Sequence, residues 1–407
     1  MIKENRPGYK HTPLGWIPEE WEIQDLGDCS VIKGEYGINA PAVPFSPALP
    51  TYLRITDIDE DGNFKAAERK SVNDKDAAKY LLNEGDIVFA RTGGTVGKTY
   101  LHSLHNGSLV FAGFLIRFRT NNSKLLPQYL KYHTGTKRYW DWVKVISMRS
   151  GQPGINGAEY CLMPLIVPPV PEQCKINSTL SKWDDAISKT QAIITRLHER
   201  NTGLMQQLLT GKKRLKGYNK QWKEIHLADA FNERSETGFV NLDLLSVGSL
   251  GVYPQSQSEK RDTSNSDKAK YKRICPGDIG YNTMRMWQGR SALSSLEGIV
   301  SPAYTIVTPK QGHHSEFYAY LFKLPPVVNK FFRNSQGLVE DTLNCKFKDF
   351  SKVKVEVPEY EEQVAIANVL TTAQAEIKSY EQKLNSLQQQ KKGLMQKLLT
   401  GEVRVKI

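Results

Sequence analysis

Residues 203–211 read Gly-Leu-Met-Gln-Gln-Leu-Leu-Thr-Gly and residues 393–401 read Gly-Leu-Met-Gln-Lys-Leu-Leu-Thr-Gly, so eight of nine positions agree at a separation of 190. Chance does not give such a match, and a repeat decides the architecture before any local reading does. The same offset runs backwards through both segments. Ile176, Leu180, Trp183, Ile187, Thr190, Ile194, Leu197, Asn201, Leu204 and Leu208 are spaced alternately by four and three, and Ile366, Leu370, Ala373, Ile377, Tyr380, Leu384, Leu387, Lys391, Leu394 and Leu398 repeat that spacing. Each series is a heptad seam that predicts a long helix, and two equal amphipathic helices in one chain pack on each other. At ~1.5 Å per residue, a helix of roughly 35 residues spans about 50 Å. One late seam position is polar in each copy, Asn201 and Lys391, and a polar seam residue fixes register at some cost in stability.

Upstream the copies agree only at framework points. Trp21–Asp28 resembles Trp222–Asp229, Gly85-Asp86-Ile87 resembles Gly277-Asp278-Ile279, and Val96-Gly97-Lys98 stands where Gln288-Gly289-Arg290 stands. Val167-Pro168 with Glu172-Gln173 matches Val357-Pro358 with Glu362-Gln363. The expected order is a globular part (1–170), a long helix (171–212), a second globular part (213–357) and a second long helix (358–407). Helices that match closely beside globular parts that have drifted suit one shared frame carrying two recognition heads for different targets. Short apolar runs bounded by turn residues predict strands at Tyr52–Ile58, Asp86–Arg91, Leu109–Phe118 and Leu162–Val167, then Leu244–Val252, Asp278–Asn282, Ile299–Val307 and Val353–Val357. Helices are expected at Gln128–Tyr139 and Ser315–Phe331. Each globular part is therefore mixed α/β.

Composition narrows the function. With 39% hydrophobic residues the chain has the means to build ordinary cores. No run reaches the ~18 apolar residues of a membrane span, and the opening residues are polar, which predicts a cytoplasmic protein without membrane contact. The five cysteines, Cys29, Cys161, Cys174, Cys275 and Cys345, form no C-x-x-C pair, so reduced and mostly buried thiols are expected rather than a zinc site or disulfide framework. A net charge of +12 favours a polyanionic partner.

Chemistry is hard to find. The segment Thr92-Gly-Gly-Thr-Val-Gly97-Lys98-Thr99 approaches a phosphate-binding loop, but Thr92 replaces its first glycine. The next residues, Tyr100–Ser108, are few and lead into a strand, where such a loop needs a helix N-terminus. No G-x-G-x-x-G follows a strand, His313-His314 lacks carboxylate or thiol company, and no nucleophile, base and acid are grouped. The same loops read better as DNA contacts. Arg91, Thr92 and Lys98 lie in the first part, with Lys144, Arg149 and Gln152 further on. Asn282, Arg285, Gln288 and Arg290, with Arg333 and Gln336, are their counterparts in the second. Arginine reads guanine and Asn or Gln reads adenine through paired hydrogen bonds, while cations and hydroxyls hold phosphate.

The chain as a whole resembles the specificity subunit of type I restriction-modification systems. The residues that carry the likeness are Leu14-Gly-Trp-Ile-Pro-Glu-Glu-Trp-Glu22, Gly85-Asp86-Ile87 with Arg91-Thr-Gly-Gly, Pro168-Pro169 with Glu172-Gln173, and the two helix ends. The second copy departs in having Pro358-Glu359 for the proline pair and no Gly-Trp-Ile-Pro lead before Trp222. The resemblance implies an α+β fold: two target recognition domains joined and separated by two long helices in an antiparallel coiled coil, with an internal pseudo-twofold repeat. It implies that each domain reads half of a split site in double-stranded DNA, that the helices set the spacer, and that two methyltransferase subunits and restriction/translocase subunits dock on this chain. No cofactor is expected in the chain itself, since S-adenosylmethionine, ATP and Mg would serve the partner subunits. Two competing readings are a self-sufficient enzyme using the Gly93–Thr99 loop for nucleotide and a coiled-coil adaptor without sequence preference.

Overall fold

The computed structural model describes residues 6–248, 251–258, 267–337 and 342–406. It divides into two compact units, Met1–Thr190 with Lys383–Ile407, and Gln191–Gln382. The long helices, Val170–Leu208 and Tyr360–Thr400, each give one stretch to each unit.

In the first unit an antiparallel sheet runs in the order Ser30–Tyr36, Leu115–Thr120, Ile87–Ala90, Thr99–Leu101. Ile87–Ala90 is buried on both faces, as its unbroken apolar run requires. A two-stranded ladder, Glu22–Asp25 with Pro164–Val167, delivers the chain to the long helix. The second unit repeats this plan with Phe231–Arg234, Tyr304–Pro309, Ile279–Asn282 and Ser291–Leu293 in the same order, and Lys223–His226 pairs with Lys354–Val357. Each unit has its own core. Trp21, Phe89, Phe118, Tyr129 and Tyr160 pack with Ile176, Leu180 and Leu398 in the first. Phe231, Tyr281, Phe317, Phe322 and Phe350 pack with Leu208, Ile366 and Leu370 in the second.

The framework matches now have physical causes. Gly85 and Gly277 sit at φ +82° and +90°, where a side chain would be strained, and turn the chain so that the next residue points inward. Asp86 accepts from Asn83 N–H at 2.8 Å and from Arg119 at 2.6 and 2.9 Å. Asp278 accepts from Cys275 N–H at 2.8 Å, from Arg234 at 2.7 Å and from Thr308 at 2.8 Å. The Glu-Gln pairs are clamps. Gln173 accepts from Leu126 N–H at 2.8 Å, capping the helix Pro127–His133, and Gln363 accepts from His314 N–H at 2.9 Å, capping Ser315–Leu321. Glu172 takes both arms of Arg404, at 2.6 and 2.9 Å, and Glu362 both arms of Arg214, at 2.7 and 2.6 Å. The two guanidiniums also lie over Trp21 and Trp222, 5.6 and 5.7 Å from the ring centres.

Within the first unit Asp184 pairs with Lys391 and Glu172 with Arg404, and within the second Arg200 pairs with Glu376 and Arg214 with Glu362. Partner numbers fall as residue numbers rise, so in each unit the two helices run antiparallel. The polar seam residues are held rather than orphaned. Lys391 meets Asp184, whose other oxygen accepts from Tyr132 at 2.7 Å. Asn201 accepts from Arg200 at 3.2 and 3.1 Å.

Several expected elements are broken, and in the same places in both copies. Leu109–Phe118 is two strands, Leu109–Phe111 and Leu115–Thr120, turned at Gly113; Ile299–Val307 is likewise Gly298–Val300 and Tyr304–Pro309, turned at Pro302. Gln128–Tyr139 is two helices, Pro127–His133 and Lys137–Ile146, parted at Gly135. Ser315–Phe331 is two helices, Ser315–Leu321 and Pro325–Asn334, parted where Pro325 opens a new first turn. Tyr52–Ile58 is a strand only over Thr51–Leu53, because Ile55–Asp57 closes into a turn that pairs Asp57 with Arg54. The expected strand Leu244–Val252 crosses residues 249–250, outside the described residues; its flanks are Leu245–Gly248 and Gly251–Pro254, which pair as a hairpin. Among the described residues no helix is long and apolar enough to cross a membrane.

Candidate nucleic-acid interface

In the first unit three segments meet at the exit of Ile87–Ala90. Arg91 N–H donates to Phe114 at 3.1 Å, and the Arg91 carbonyl accepts from Ile155 N–H at 2.9 Å. Thr92 bridges Gly154, and Gly93 N–H donates to Pro153 at 2.9 Å. This lacing presents Arg91, Thr92 and Gln152 together, beside Tyr36 at the end of the edge strand. Tyr36 is fixed by accepting Gly157 N–H at 2.9 Å.

Arg91 is the distinctive group. It is half-buried, its guanidinium lies 5.0 Å from the centre of the Tyr36 ring, and its Nε is buried without a partner. Among the described residues, every other arginine that is not exposed has an acceptor. Arg54, Arg117, Arg119, Arg214, Arg234 and Arg273 bond carboxylates, and Arg138 bonds the Leu14 carbonyl. A cation withdrawn from water and left without an anion in its own chain is set up to receive one from outside. Tyr36 and Phe114 are large rings left exposed around it, at 41% and 53%.

The second unit builds the same lacing. Thr283 N–H donates to Ala303 at 3.1 Å and the Thr283 carbonyl accepts from Cys345 N–H at 2.8 Å, so Thr283 stands at the Arg91 position. Gln336 and Asn344 exchange two backbone hydrogen bonds of 2.8 Å, and Asn282 N–H donates to Arg290 at 3.1 Å as Ala90 does to Lys98 at 2.8 Å. Arg285, Gln288 and Arg290 are exposed on one loop. That loop packs through Trp287 against Phe332, next to Arg333.

Some of the expected contact residues are engaged within the chain. Lys98 is tied to Glu60 at 2.6 Å and offers no unopposed charge. Arg149 turns back onto Glu159 at 2.5 Å and onto the carbonyls of Ile146 and Met148, closing the end of its helix. Asn282 spends its side-chain oxygen on Met284 N–H at 2.9 Å, shaping the turn. Lys144, Gln152, Arg285, Gln288, Arg290, Arg333 and Gln336 remain exposed. The seam residues all lie inward. Ile176, Leu180, Ile194, Leu197, Leu208, Ile366, Leu370, Ile377 and Leu398 are buried, and Trp183, Ile187, Leu204, Leu384, Leu387 and Leu394 half-buried. Sequence reasoning passed over the apolar members, Tyr36, Phe114, Trp287 and Phe332. Aromatics interleaved with arginines were the available signal.

The loop that approached a phosphate-binding pattern runs through a single turn at Gly93–Thr95 into the strand Thr99–Leu101. No helix N-terminus comes next to gather phosphate oxygens. All five cysteines are free, with Cys29 and Cys345 buried and Cys174 exposed. Burial pushes the Cys29 thiol up to about 11 and the Cys345 thiol up to about 12, leaving both protonated near neutrality. His313 faces Tyr318 OH at 2.7 Å, and burial lowers its pKa.

A family profile described as the type I restriction modification DNA specificity domain matches residues 18–199 and again 219–389. Two specificity subunits of type I restriction enzymes from Methanocaldococcus jannaschii are similar over nearly their whole lengths. The provisionally named MjaX subunit is 24% identical, covering 98% of this chain and 97% of that protein. The MjaVIII subunit is 23% identical, covering 96% and 94%. Among solved structures, a chain from a study of type I restriction-modification complex assembly superposes at a TM-score of 0.59 with 15% identity, covering 95% of this chain and 99% of that one. The S subunit from M. genitalium superposes at 0.56 with 14% identity, covering 93% and 96%.

Proposed function

Since this chain belongs to the type I restriction-modification DNA specificity family, we propose that each of its units reads one half of a bipartite site in double-stranded DNA while the chain itself catalyses nothing. The observation that carries the reading is Arg91, half-buried on Tyr36 with no anion of its own, at a locus whose backbone lacing recurs in the second unit. One frame built twice with different side chains at the tip is what two half-sites of different sequence require. Arg91 faces the DNA with a guanidinium, and the equivalent Thr283 yields that place to Arg285 two residues on.

In this reading the partners are two methyltransferase subunits and the restriction/translocase subunits, and the complex works in the cytoplasm. S-adenosylmethionine, ATP and Mg are used by those partners. This chain supplies orientation: it fixes which base is presented for modification by binding the sequence around it. The Gly93–Thr99 loop supports strand geometry and leaves the nucleotide-site reading without a phosphate cradle.

The test is sequencing of methylated bases in cells that carry this chain with the methyltransferase subunit of its own system. The expected result is one split motif, with exchange of Asp229–Phe350 for the same region of another such subunit changing one half of it and leaving the other. Methylation without a split motif, or an exchange that alters both halves, would refute the assignment of one half-site per unit.

A further inference from the structure

The second unit exposes an apolar platform at the tip of the loop that carries Arg285 and Arg290. Met284 and Phe332 are 48% and 41% exposed. Trp287 lies between them, its indole N–H donating to the Met284 carbonyl at 3.0 Å and its ring meeting Phe332 edge-on at 6.0 Å. The platform is rigid because its immediate neighbours are anchors. Met286 and Phe331 are fully buried in the core of the unit. Outward and inward apolar residues therefore alternate along both segments, and the outward ones are held up by the core rather than left to collapse into it.

Exposed apolar surface of this kind marks a contact, and its surroundings identify the contact chemistry. Arg285, Arg290 and Arg333 flank it, all exposed and none in an ion pair among the described residues. Apolar rings ringed by free guanidiniums fit a ligand that is apolar on its faces and anionic along its edge. Stacked bases on a phosphate backbone have that character, and apolar side chains pressed between base steps unstack them.

We propose that Met284, Trp287 and Phe332 form a wedge that enters the duplex at the half-site read by the second unit and unstacks one base step. The arginines beside them hold the flanking phosphates. This rests on the reading of the units as DNA-binding and adds a deformation component to it. The half-site then depends on how easily one step opens as well as on base edges, so flexible pyrimidine–purine steps are favoured at the wedge.

The experiment uses the full chain assembled with its methyltransferase and duplexes bearing the methylated motif of that complex. Stacking is monitored by permanganate reactivity of thymines and by 2-aminopurine fluorescence, base by base through the half-site. With the natural chain, one step should become reactive and bright. In the Met284→Ser/Phe332→Ser double variant the signal should vanish and affinity fall roughly tenfold, the scale of losing one stacked base. Phe332→Leu, which keeps bulk without a ring, should retain part of both, and it serves where the double variant does not fold.

An Arg285→Ala/Arg290→Ala pair separates the two ideas. If it weakens binding while the double serine variant and Phe332→Leu leave stacking signal and affinity unchanged, the wedge is wrong and the DNA face stands. If the arginine pair leaves DNA binding intact and the serine variant instead loses the methyltransferase, the platform is a protein interface and both readings of this loop fall.

Discussion

Replacing Arg91 by alanine separates a recognition role from a structural one, because this arginine makes so little inside its own chain. It has no ion pair and no side-chain hydrogen bond among the described residues, and its guanidinium lies over the Tyr36 ring at 5.0 Å. Losing that contact should cost ~0.5–1 kcal/mol of stability, and the unsatisfied Nε disappears with it. Against DNA the same change removes a paired guanidinium contact, worth ~1–3 kcal/mol where it reads a base, or about 5- to 150-fold in affinity. Fluorescence anisotropy of the assembled methyltransferase complex with its motif duplex, repeated over a salt series, measures both quantities that matter. A base contact predicts a loss confined to duplexes with the correct base, which Arg91→Lys does not repair. A phosphate contact predicts a uniform loss, a salt slope lower by about 0.9, and substantial repair by lysine. Binding within twofold of the natural chain at every salt concentration, with thermal stability retained, would refute the argument that the missing anion is DNA.

The remaining predictions concern the frame. Glu172→Ala and Glu362→Ala each take a paired carboxylate from an arginine, leaving Arg404 with Glu20 at 2.9 Å and Arg214 with the Lys220 carbonyl at 2.9 Å. Only Glu172 also accepts the Trp21 indole N–H, at 2.8 Å, whereas Trp222 Nε1 has no partner among the described residues. Glu172→Ala should therefore be the more destabilising by ~1–3 kcal/mol, the cost of a newly unmet buried donor, as read from urea midpoints. Lys131 is held by the Thr99 carbonyl at 2.9 Å, and burial lowers its pKa to about 8. The unfolded chain then binds more protons than the folded one between pH 8 and the ordinary lysine value, so stability relative to Lys131→Met should rise over that window as pH rises, and a flat or falling difference contradicts it. Gly401 sits at φ +75° with Pro18 2.4 Å from where a Cβ would stand, and Gly211 at φ +68° with Trp222 at 3.4 Å. Gly401→Ala should lower the melting temperature more than Gly211→Ala does.

What the sequence made legible was whatever repeats or has a period. The seams needed only the four-three spacing, and every seam position faces inward because that spacing admits one buried face of a helix. The breaks inside Gln128–Tyr139 and Leu109–Phe118 were missed for a physical reason. Leu109–Phe118 is apolar almost throughout, and Ala112-Gly-Phe114, like Thr134-Gly-Thr136 in the helical stretch, is short enough to be read through as element interior. The second copy carries the stronger signal at the corresponding places, Pro302 and Pro325, but the expected strand Ile299–Val307 and helix Ser315–Phe331 ran through those prolines as well. The candidate site was legible as loops but not as individual residues. Lys98 and Arg149 carry the right charge, yet the acids that quench them, Glu60 and Glu159, are 38 and 10 residues away. A loop cation is free or spent according to what the fold brings beside it: a carboxylate reaches Arg149, whereas Arg91 meets the Tyr36 ring and no acid.

The Glu-Gln clamps bring these observations together. Gln173 and Gln363 cap the helix that begins each pair of short helices, and the second helix of each pair packs on the candidate loop, through Val143 beside Gly97 in the first unit and Val328 beside Gly289 in the second. Glu172 and Glu362, one residue earlier, fasten the chain just beyond the end of the other long helix. A single turn at the start of each long helix thus ties the helix pair to the element supporting the recognition loop. The clamp residues are alike in both units while the loop tips differ, which is what the proposed reading of two DNA sequences from one geometry requires. A substitution at the tip should therefore change which sequence is modified, and a substitution at a clamp should weaken modification of the same sequence.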